Sequence, residues 1–342
     1  MEFLLSFIIP LVLALILTPA ARSLSNRWGV VALPGGRRRH KLPVAKLGGL
    51  SLMIAYLAGI GFIYLVLPPS GDDARRLGGV ILGSLVLFAG GLIDDFRDLS
   101  PQLQFLIQFV GVAIAILSIV FIEVFTNPIN GQLVHIEWTP LVFLITLIWI
   151  VGIINTVNWL DGLDGLAAGV GTIAALLFAW HSYRLGQEAV AAVPLALAGA
   201  LVGFLPYNFA TATIFLGTAG AYVLGYNLAT LSILSPAKIA TALLVLAVPI
   251  LDGVWRVLDR LIHRRNPFYG DRGHLHFRLA DMGVPIRYIV LGYYGFTLAF
   301  GLVAIFAAGL TKLILLSLLG VLVLALLIWL SYRSGESESQ TG

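Results

Sequence analysis

Apolar runs of about the length of a membrane span recur along almost the whole chain, and they constrain its fold more than any other feature. A helix of ~20 residues crosses ~30 Å of hydrocarbon, and lipid offers no partner to an unpaired backbone group. The sequence therefore predicts an all-α integral membrane protein. Eleven such runs occur, at residues 3–21, 47–67, 77–93, 101–123, 139–155, 165–182, 189–206, 217–235, 238–257, 285–309 and 313–332.

The composition agrees with this class. Hydrophobic residues make up 59% of the 342 residues and charged residues only 11%, whereas a soluble domain carries roughly 25% charged residues. The chain has no Cys, which excludes disulfides and thiolate metal sites. The first run is expected to be a retained span, because Glu2 stands where a signal peptide carries basic residues. We expect one membrane domain over 1–332 and a disordered cytoplasmic tail over 333–342.

The distribution of basic residues predicts the orientation. With the N-terminus outside and the C-terminus cytoplasmic, eleven spans place sixteen of the 21 Lys and Arg residues on the inner side, which is the bias typical of cytoplasmic loops. The same orientation places every acidic motif on the cytoplasmic side. Among the outer loops, TNPINGQLVHIEW predicts a small β-hairpin, because a turn signal precedes alternating residues.

The segment NTVNWLDGLDGLAAG is the strongest candidate for a functional site. Its polar residues Asn155, Asn158, Asp161 and Asp164 are spaced by three, so on a helix they lie on neighbouring parts of one face. Apolar runs precede and follow the segment, and polar groups at the edge of a span mark function by default. The alternative is a plain polar loop, which needs turn formers but not two Asn and two Asp in register.

A second acidic motif, GGLIDDFRDLSPQLQ, holds the adjacent carboxylates Asp94 and Asp95. Adjacent carboxylates repel one another and need a cation or a proton between them. Divalent cations such as Mg²⁺ prefer oxygen ligands and leave positions for substrate phosphates. The alternative is that Asp98 and Ser100 only cap the next helix, which leaves the Asp94/Asp95 pair unexplained.

Three further segments carry weaker signals. PYNFATATIFLGTAGAYVLG offers the amide of Asn208 and the ring of Phe215 to a planar base. DRGHLHFRL combines histidines with arginines, which suits a phosphate-bearing ligand; a zinc site there is disfavoured because no Cys completes it. An Asp inside an apolar run needs a partner, and for Asp252 the sequence predicts Arg256 at i+4.

IDDFRD, NTVNWLDGLDGLAAG, NFATATIFLGTAG and DRGHLHFRL together resemble the polyprenyl-phosphate N-acetylhexosamine-1-phosphate transferases, from about Arg37 to Gly283. The resemblance implies transfer of a sugar 1-phosphate, most closely GlcNAc 1-phosphate, from a UDP-sugar to undecaprenyl phosphate, with release of UMP. It implies a bacterial cytoplasmic membrane and the first membrane step of a cell-envelope glycan pathway, such as teichoic acid or lipopolysaccharide synthesis. The implied partners are the UDP-sugar, the lipid carrier and membrane lipids, with no nucleic acid; a homodimer is left open.

The same resemblance implies roles for individual residues. It makes Asp94, Asp95, Asp161 and Asp164 catalytic. It assigns Mg²⁺, or Mn²⁺ as an alternative, to Asn158, Asp94 and Asp95. It assigns substrate binding to Lys46, Asn155, Asn158, Asn208, Phe215, His274, His276 and Arg278.

Three positions depart from the pattern of the resembled family. Phe277 replaces a His, and Lys46 replaces an Arg, which keeps the charge but loses the bidentate fork. Thr218 stands where the family has a metal-binding Asp, and its neutral hydroxyl is a weaker partner for a hard dication. A catalytically impaired homologue is therefore the alternative function. A transporter is disfavoured, because its acidic residues would lie near the bilayer midplane.

Overall fold

The computed structural model describes residues 1–33, 42–127, 132–209, 211–234, 238–264, 273–307 and 309–339. These residues form helices and two short antiparallel sheets. The helices are α1 (Glu2–Arg27), α2 (Gly48–Val66), α3 (Gly71–Arg97), α4 (Pro101–Leu117), α5 (Thr139–Leu160), α6 (Leu166–Arg184), α7 (Glu188–Asn208), α8 (Gly217–Ile233), α9 (Lys238–Val245), α10 (Ala247–Ile262), α11 (Leu275–Asp281), α12 (Ile286–Phe306) and α13 (Gly309–Ser339). The strands are β1 (Val31–Ala32), β2 (Val44–Ala45), β3 (Val124–Thr126) and β4 (Leu133–His135).

The all-α, multi-span class is confirmed. In the described part of the chain, seven helices are long and apolar enough to cross a membrane, namely α1, α2, α3, α5, α6, α7 and α12, and α9 with α10 would make an eighth. Helices α4 and α8 have 17 residues each, and α13 runs from Gly309 to Ser339. Every predicted run thus contains at least one helix, while the count of eleven spans and the orientation stay predictions.

Two segments differ from the prediction. The run at 238–257 is not one straight helix, because the chain breaks at Leu246 and the two helices meet at 78°. Pro249 follows the break, and proline has no N–H to continue the helix of α9. At the other end of the chain, α13 continues to Ser339, whereas a disordered tail is predicted from 333. The division of the chain into one domain and a tail stays a prediction.

Helix α8 lies at the centre of the bundle. Every residue from Ala219 to Ser232 is buried, and α8 packs against α2, α3, α5, α6, α7 and α9. Small residues permit this close packing: a Cβ added to Gly91 of α3 would lie 2.6 Å from the Cα of Ala219. Close approach at small residues is a common way to pack helices in a membrane. The position of α8 is therefore fixed from several sides.

The two sheets lie at the ends of the bundle. The predicted hairpin is confirmed, because β3 pairs with β4 and Val124 lies opposite His135. The other sheet pairs β1 with β2, and Ala45 of β2 also forms a parallel bridge to Ile214. This second sheet thereby joins the segment before α2 to the segment before α8.

Candidate functional site

The acidic and polar motifs meet at one end of the bundle, where several helices begin or end. The segment before α8 docks on β2 and α2: the Phe215 N–H donates to the Ala45 carbonyl at 2.8 Å, and the Gly48 N–H donates to the Phe215 carbonyl at 3.0 Å. The Phe215 ring is half-buried there. These contacts connect parts of the chain that are far apart in sequence into one site.

The N-terminus of α8 is closed by a carboxylate from α3. The residue that precedes α8, Leu216, provides no side-chain cap. Instead, Asp95 accepts the N–H of Thr218 at 2.9 Å on Oδ1 and the N–H of Ala219 at 3.1 Å on Oδ2. The Lys46 ammonium lies 3.6 Å from Asp95 Oδ1. A buried carboxylate is favoured at this position, because a helix N-terminus carries partial positive charge and free N–H groups.

Asp94 serves a different helix from its neighbour. Its Oδ1 accepts the Leu99 N–H at 2.9 Å and the side-chain amide of Gln104 at 2.8 Å, both at the start of α4. Asp98 adopts a left-handed conformation at the end of α3, and its side chain is 97% exposed. Ser100 precedes α4 without a side-chain cap bond. The hydrogen bonds of the Asp94/Asp95 pair are thus directed apart, to α4 and α8.

The two carboxylates between α5 and α6 lie beside this arrangement. Burial raises the pKa of Asp161 well above its usual range, and the charges of Asp95 and Asp164 raise that pKa further, while the Gly217 N–H lowers it. Asp164 Oδ2 accepts the Ala212 N–H at 2.9 Å. Asp161 and Asp95 therefore both contact the first turn of α8, and Asp164 holds the segment that leads into it.

The three asparagines that the sequence predicts as ligand contacts have different environments. Asn155 donates to the side chain of Gln108 at 2.7 Å. Asn208 accepts the Gly165 N–H at 3.1 Å on Oδ1 and donates to the Ile214 carbonyl at 3.0 Å. Within the described residues, the half-buried amide of Asn158 forms no hydrogen bond. Of the three asparagines, Asn158 is therefore the one whose side-chain amide can form hydrogen bonds to a ligand.

The histidine loop docks on α10 through Asp252. The carboxylate contacts His274 Nδ1 at 2.9 Å and accepts the Leu275 N–H at 2.9 Å. The predicted pairing of Asp252 with Arg256 is wrong in the described part of the chain, where Arg256 binds Asp259 at 2.7 Å. The reason is that α11 brings a histidine and a helix N-terminus to Asp252, which the sequence spacing alone does not reveal.

His276 is buried and uncharged. It is 1% exposed, and neither ring nitrogen has a hydrogen-bond partner among the described residues. Burial lowers the pKa of His276 to about 3, and His274 lowers it further while Asp252 opposes the shift. Phe277 is also buried, and Arg278 is half-buried. The other basic residues of these loops, Arg37, Arg38, Arg39, Lys41, Arg265 and Arg272, lie outside the described residues.

Several residues around the site are missed by the sequence analysis. Gln104 and Gln108 stand at i, i+4 inside the apolar helix α4, and this polar pair is a signal that could have indicated them. Tyr222 of α8 is fully buried beside them. Tyr294 of α12 donates to the Gly165 carbonyl at 2.5 Å. No local pattern distinguishes either tyrosine from the many aromatic residues of membrane helices.

The donors assigned to Mg²⁺ by resemblance are Asn158, Asp94 and Asp95, and in the described part of the chain both carboxylates take part in hydrogen bonds. No three His, Asp or Glu side chains there converge on one point. Both Asp95 oxygens accept backbone N–H groups, and one Asp94 oxygen accepts two hydrogen bonds. Thr218 supplies no carboxylate. Mg²⁺ usually takes one or two protein carboxylates together with water and substrate phosphates, so its assignment to these residues stays a prediction.

Comparison with known proteins gives a consistent result. A family model described as glycosyl transferase family 4 matches residues 77–236. A Bacillus subtilis protein named a probable undecaprenyl-phosphate N-acetylglucosaminyl 1-phosphate transferase is 31% identical over 307 residues, 88% of this chain and 83% of that protein. A Mycobacterium tuberculosis decaprenyl-phosphate N-acetylglucosaminephosphotransferase is 30% identical over 329 residues, 85% and 78% of the two chains. An undecaprenyl-phosphate alpha-N-acetylglucosaminyl 1-phosphate transferase of Haemophilus influenzae is 32% identical over 280 residues, 78% and 76% of the two chains.

Proposed function

The chain belongs to glycosyl transferase family 4, and on that basis we propose that it transfers N-acetylglucosamine 1-phosphate from UDP-GlcNAc to undecaprenyl phosphate. The products are UMP and a diphosphate-linked lipid. The family membership carries this proposal, since relatives named as such transferases align with most of the chain. The alternative of a catalytically impaired homologue has no support among these relatives.

The proposed reaction forms one P–O bond and breaks another. An oxygen of the lipid phosphate attacks the sugar-linked phosphorus of UDP-GlcNAc, and the bond to the bridging oxygen breaks, so that UMP leaves with the electron pair. A phosphate monoester has its second pKa near ~6, so the attacking group is already largely anionic at neutral pH. The site is therefore not required to supply a strong base; it has to align the groups and balance their charge.

The acidic cluster lies at one end of the helix bundle, and this location supports the proposal that the reaction takes place there. One substrate is soluble and the other lies in the membrane, so both can meet only at a membrane edge. Lys46 lies beside Asp95 and is 14% exposed, so it offers a cation to a phosphate at this edge. Asp161 also lies at the first turn of α8, where it accepts the Gly217 N–H. We assign Asp161, Lys46 and the free amide of Asn158 to substrate contact.

We assign a structural role to the residues whose side chains already form hydrogen bonds with backbone groups of the site. Asp95 caps α8, Asp164 holds Ala212, and Asn208 joins Gly165 to Ile214. The ring of Phe215 is proposed to stack on the uracil, and the loop of His274, His276 and Arg278 to face the sugar diphosphate. Mg²⁺ or Mn²⁺ belongs to the proposal by resemblance only, and no step of the reaction is assigned to it.

The remaining features of the proposal concern the cellular setting. The chain is an integral membrane protein, and we place it in the bacterial cytoplasmic membrane with the site facing the cytoplasm. The charge asymmetry supports this orientation. A homodimer, and a role in teichoic acid or lipopolysaccharide synthesis, remain part of the proposal without a structural argument.

A purified-enzyme assay tests the proposed function. UDP-GlcNAc labelled in the sugar is incubated with undecaprenyl phosphate and Mg²⁺ in detergent, and lipid-linked label and UMP are measured together. We expect the two products in equal amounts, and dependence on both substrates. UDP-glucose serves as the matched donor without the N-acetyl group. Absence of lipid-linked label with folded protein, or release of free sugar phosphate instead, would contradict the proposal.

A further inference from the structure

We propose that Tyr294 is a positioning residue that fixes the DGLDG turn of 161–165 for nucleotide-sugar binding. Tyr294 lies on α12, outside the acidic and histidine motifs and outside the 77–236 segment that the family model matches. Its hydroxyl donates to the Gly165 carbonyl at 2.5 Å. The inference takes the identity of the ligand from the proposed function. The contact between Tyr294 and Gly165 is independent of that function.

The backbone of Gly165 is held from two sides. Its N–H donates to Asn208 of α7, and its carbonyl accepts the hydroxyl of Tyr294. Gly165 has φ +77, a conformation that residues with a side chain rarely adopt. A Cβ there would also lie 2.8 Å from the ring of Phe209. Gly165 is therefore the point at which α6, α7 and α12 fix the turn.

The approach of Tyr294 depends on a second glycine one turn along α6. A Cβ added to Gly169 would overlap the hydroxyl and ring of Tyr294. Gly165 directly precedes α6, and its carbonyl also accepts the Gly169 N–H at 2.9 Å, so the two glycines form one face at the start of the helix. That face is shaped for the tyrosine, whose ring also lies 6.3 Å from the ring of Phe209.

The turn transmits this contact to the segment that leads into α8. Asp164 precedes Gly165 directly and accepts the Ala212 N–H. Asn208, the partner of the Gly165 N–H, also donates to the Ile214 carbonyl. The segment 211–215 ends in Phe215, which is assigned to the uracil. Loss of the Tyr294 hydroxyl should therefore loosen the segment that carries Phe215 and leave the contacts of Asp94 with the start of α4 unchanged.

The test compares Tyr294→Phe with its neighbour Tyr293→Phe. Tyr293 is buried, whereas Tyr294 is half-buried, and the Tyr293 hydroxyl has no partner among the described residues, so its removal is the control. In Tyr294→Phe we expect the KM for UDP-GlcNAc to rise about fivefold, the effect of losing one hydrogen bond. The KM for undecaprenyl phosphate and kcat should change less than about twofold. Gly169→Ala, which excludes the tyrosine by a different route, should raise the same KM.

Amide hydrogen exchange of residues 161–166 in detergent gives a readout that does not need activity. Exchange should rise in Tyr294→Phe and stay at the wild-type rate in Tyr293→Phe. If the wild-type protein transfers no sugar phosphate, the proposed function fails, while this exchange still decides whether Tyr294 fixes the turn. Unchanged exchange overturns the inference. Faster exchange with a lower kcat and an unchanged KM for UDP-GlcNAc also overturns it, because that pattern indicates a purely structural role.

Discussion

Asp95 and Thr218 lie 123 residues apart in sequence, yet the carboxylate of the first accepts the backbone N–H of the second at 2.9 Å. The contact places a buried negative charge at the first turn of α8, where the local sequence provides no cap. The side chain of Thr218 is not needed for it, because only its backbone donates. The carboxylate of Asp95 thus fixes the helix on which the Thr218 position lies.

Replacing this carboxylate is the first prediction. Asp95→Asn turns one acceptor into an N–H₂ group that faces a backbone N–H, and the loss of a hydrogen bond to a charged group costs about 1.5–3 kcal/mol. We expect turnover to fall at least about tenfold, with a lower Tm. The exposed neighbour is the control: Asp98→Asn should keep both values near those of the wild type. Equal effects of the two substitutions would contradict the capping role.

The second prediction concerns Thr218→Asp. The new carboxylate would stand next to Asp95 at the start of α8, and two close carboxylates repel one another unless a cation lies between them. Without divalent ions the variant should unfold at a lower temperature than the wild type. Added Mg²⁺ should raise its Tm more than that of the wild type, because charge count tunes such affinities. The test measures the Tm of both proteins at increasing Mg²⁺ concentrations. An equal rise in Tm for the two proteins would refute the prediction.

The third prediction is a pH dependence that arises from Asp161. The folded-state pKa of Asp161 is raised, so the folded protein holds this proton more tightly than the unfolded chain. The contribution of Asp161 to stability is then fully present at low pH, and it is lost as pH rises from about 4 towards the raised pKa. Asp161→Asn keeps the neutral form, so it should raise Tm at pH 7 by about 2 °C or more and flatten this part of the profile.

The matched comparison for Asp161 is Asp164→Asn. Asp164 accepts a backbone N–H from Ala212, so its replacement should lower Tm, opposite in sign to Asp161→Asn. Both variants should lose transfer by at least about tenfold, one through substrate contact and the other through the displaced segment. Melting curves at several pH values check the signs. A lower Tm for Asp161→Asn at pH 7 would show that its carboxylate stabilises the fold.

The fourth prediction separates two asparagines. Asn208→Ala leaves the Gly165 N–H and the Ile214 carbonyl without their partner, and an unsatisfied buried group costs about 1–3 kcal/mol. Tm and activity should both fall. Asn158→Ala removes an amide that forms no hydrogen bond to a described residue, so activity should fall while Tm is retained. A retained Tm for Asn208→Ala together with a lower Tm for Asn158→Ala would contradict both assignments.

The fifth prediction is the orientation. Single cysteines are unambiguous probes, because the chain has no Cys of its own. A Cys at Asp98, which is exposed at the site end of α3, should resist a membrane-impermeant thiol reagent in intact cells. A Cys at Asp72, at the opposite end of the same helix, should react. Labelling of the first and protection of the second would reverse the predicted topology.

The fold was largely predictable from the sequence because each apolar run must satisfy its backbone internally, which leaves a helix as the solution. The bend at Leu246 could not be predicted from the sequence, because a bent helix and a straight helix bury similar apolar residues. Its only signal is Pro249, and proline is common in membrane helices that remain unbroken.

The residues that the structure brings together at the candidate site could be predicted from the sequence, but the hydrogen-bond partners of each residue could not. Spacing and residue type indicated Asp95, Asp161 and Asn208, since polar groups in an apolar chain are conspicuous. The partner of each is a backbone group from a distant segment, such as the Thr218 N–H for Asp95. Backbone donors leave no mark in a sequence. Asp252 illustrates the same limit, because its partner His274 comes from another helix instead of the same face.

The central burial of α8 has a consequence for how the protein is made. Helices α1 to α7 are synthesised first, and we expect them to leave an open groove beside Gly91 and Asp95, which contact α8 in the complete chain. At 5–20 residues per second, the 123 residues between Asp95 and Thr218 take roughly 6–25 s to translate. During that interval lipid or water must fill the groove, and the carboxylate has no N–H partner from α8. A nascent chain arrested before Gly217 should therefore be a preferred substrate of membrane quality-control proteases.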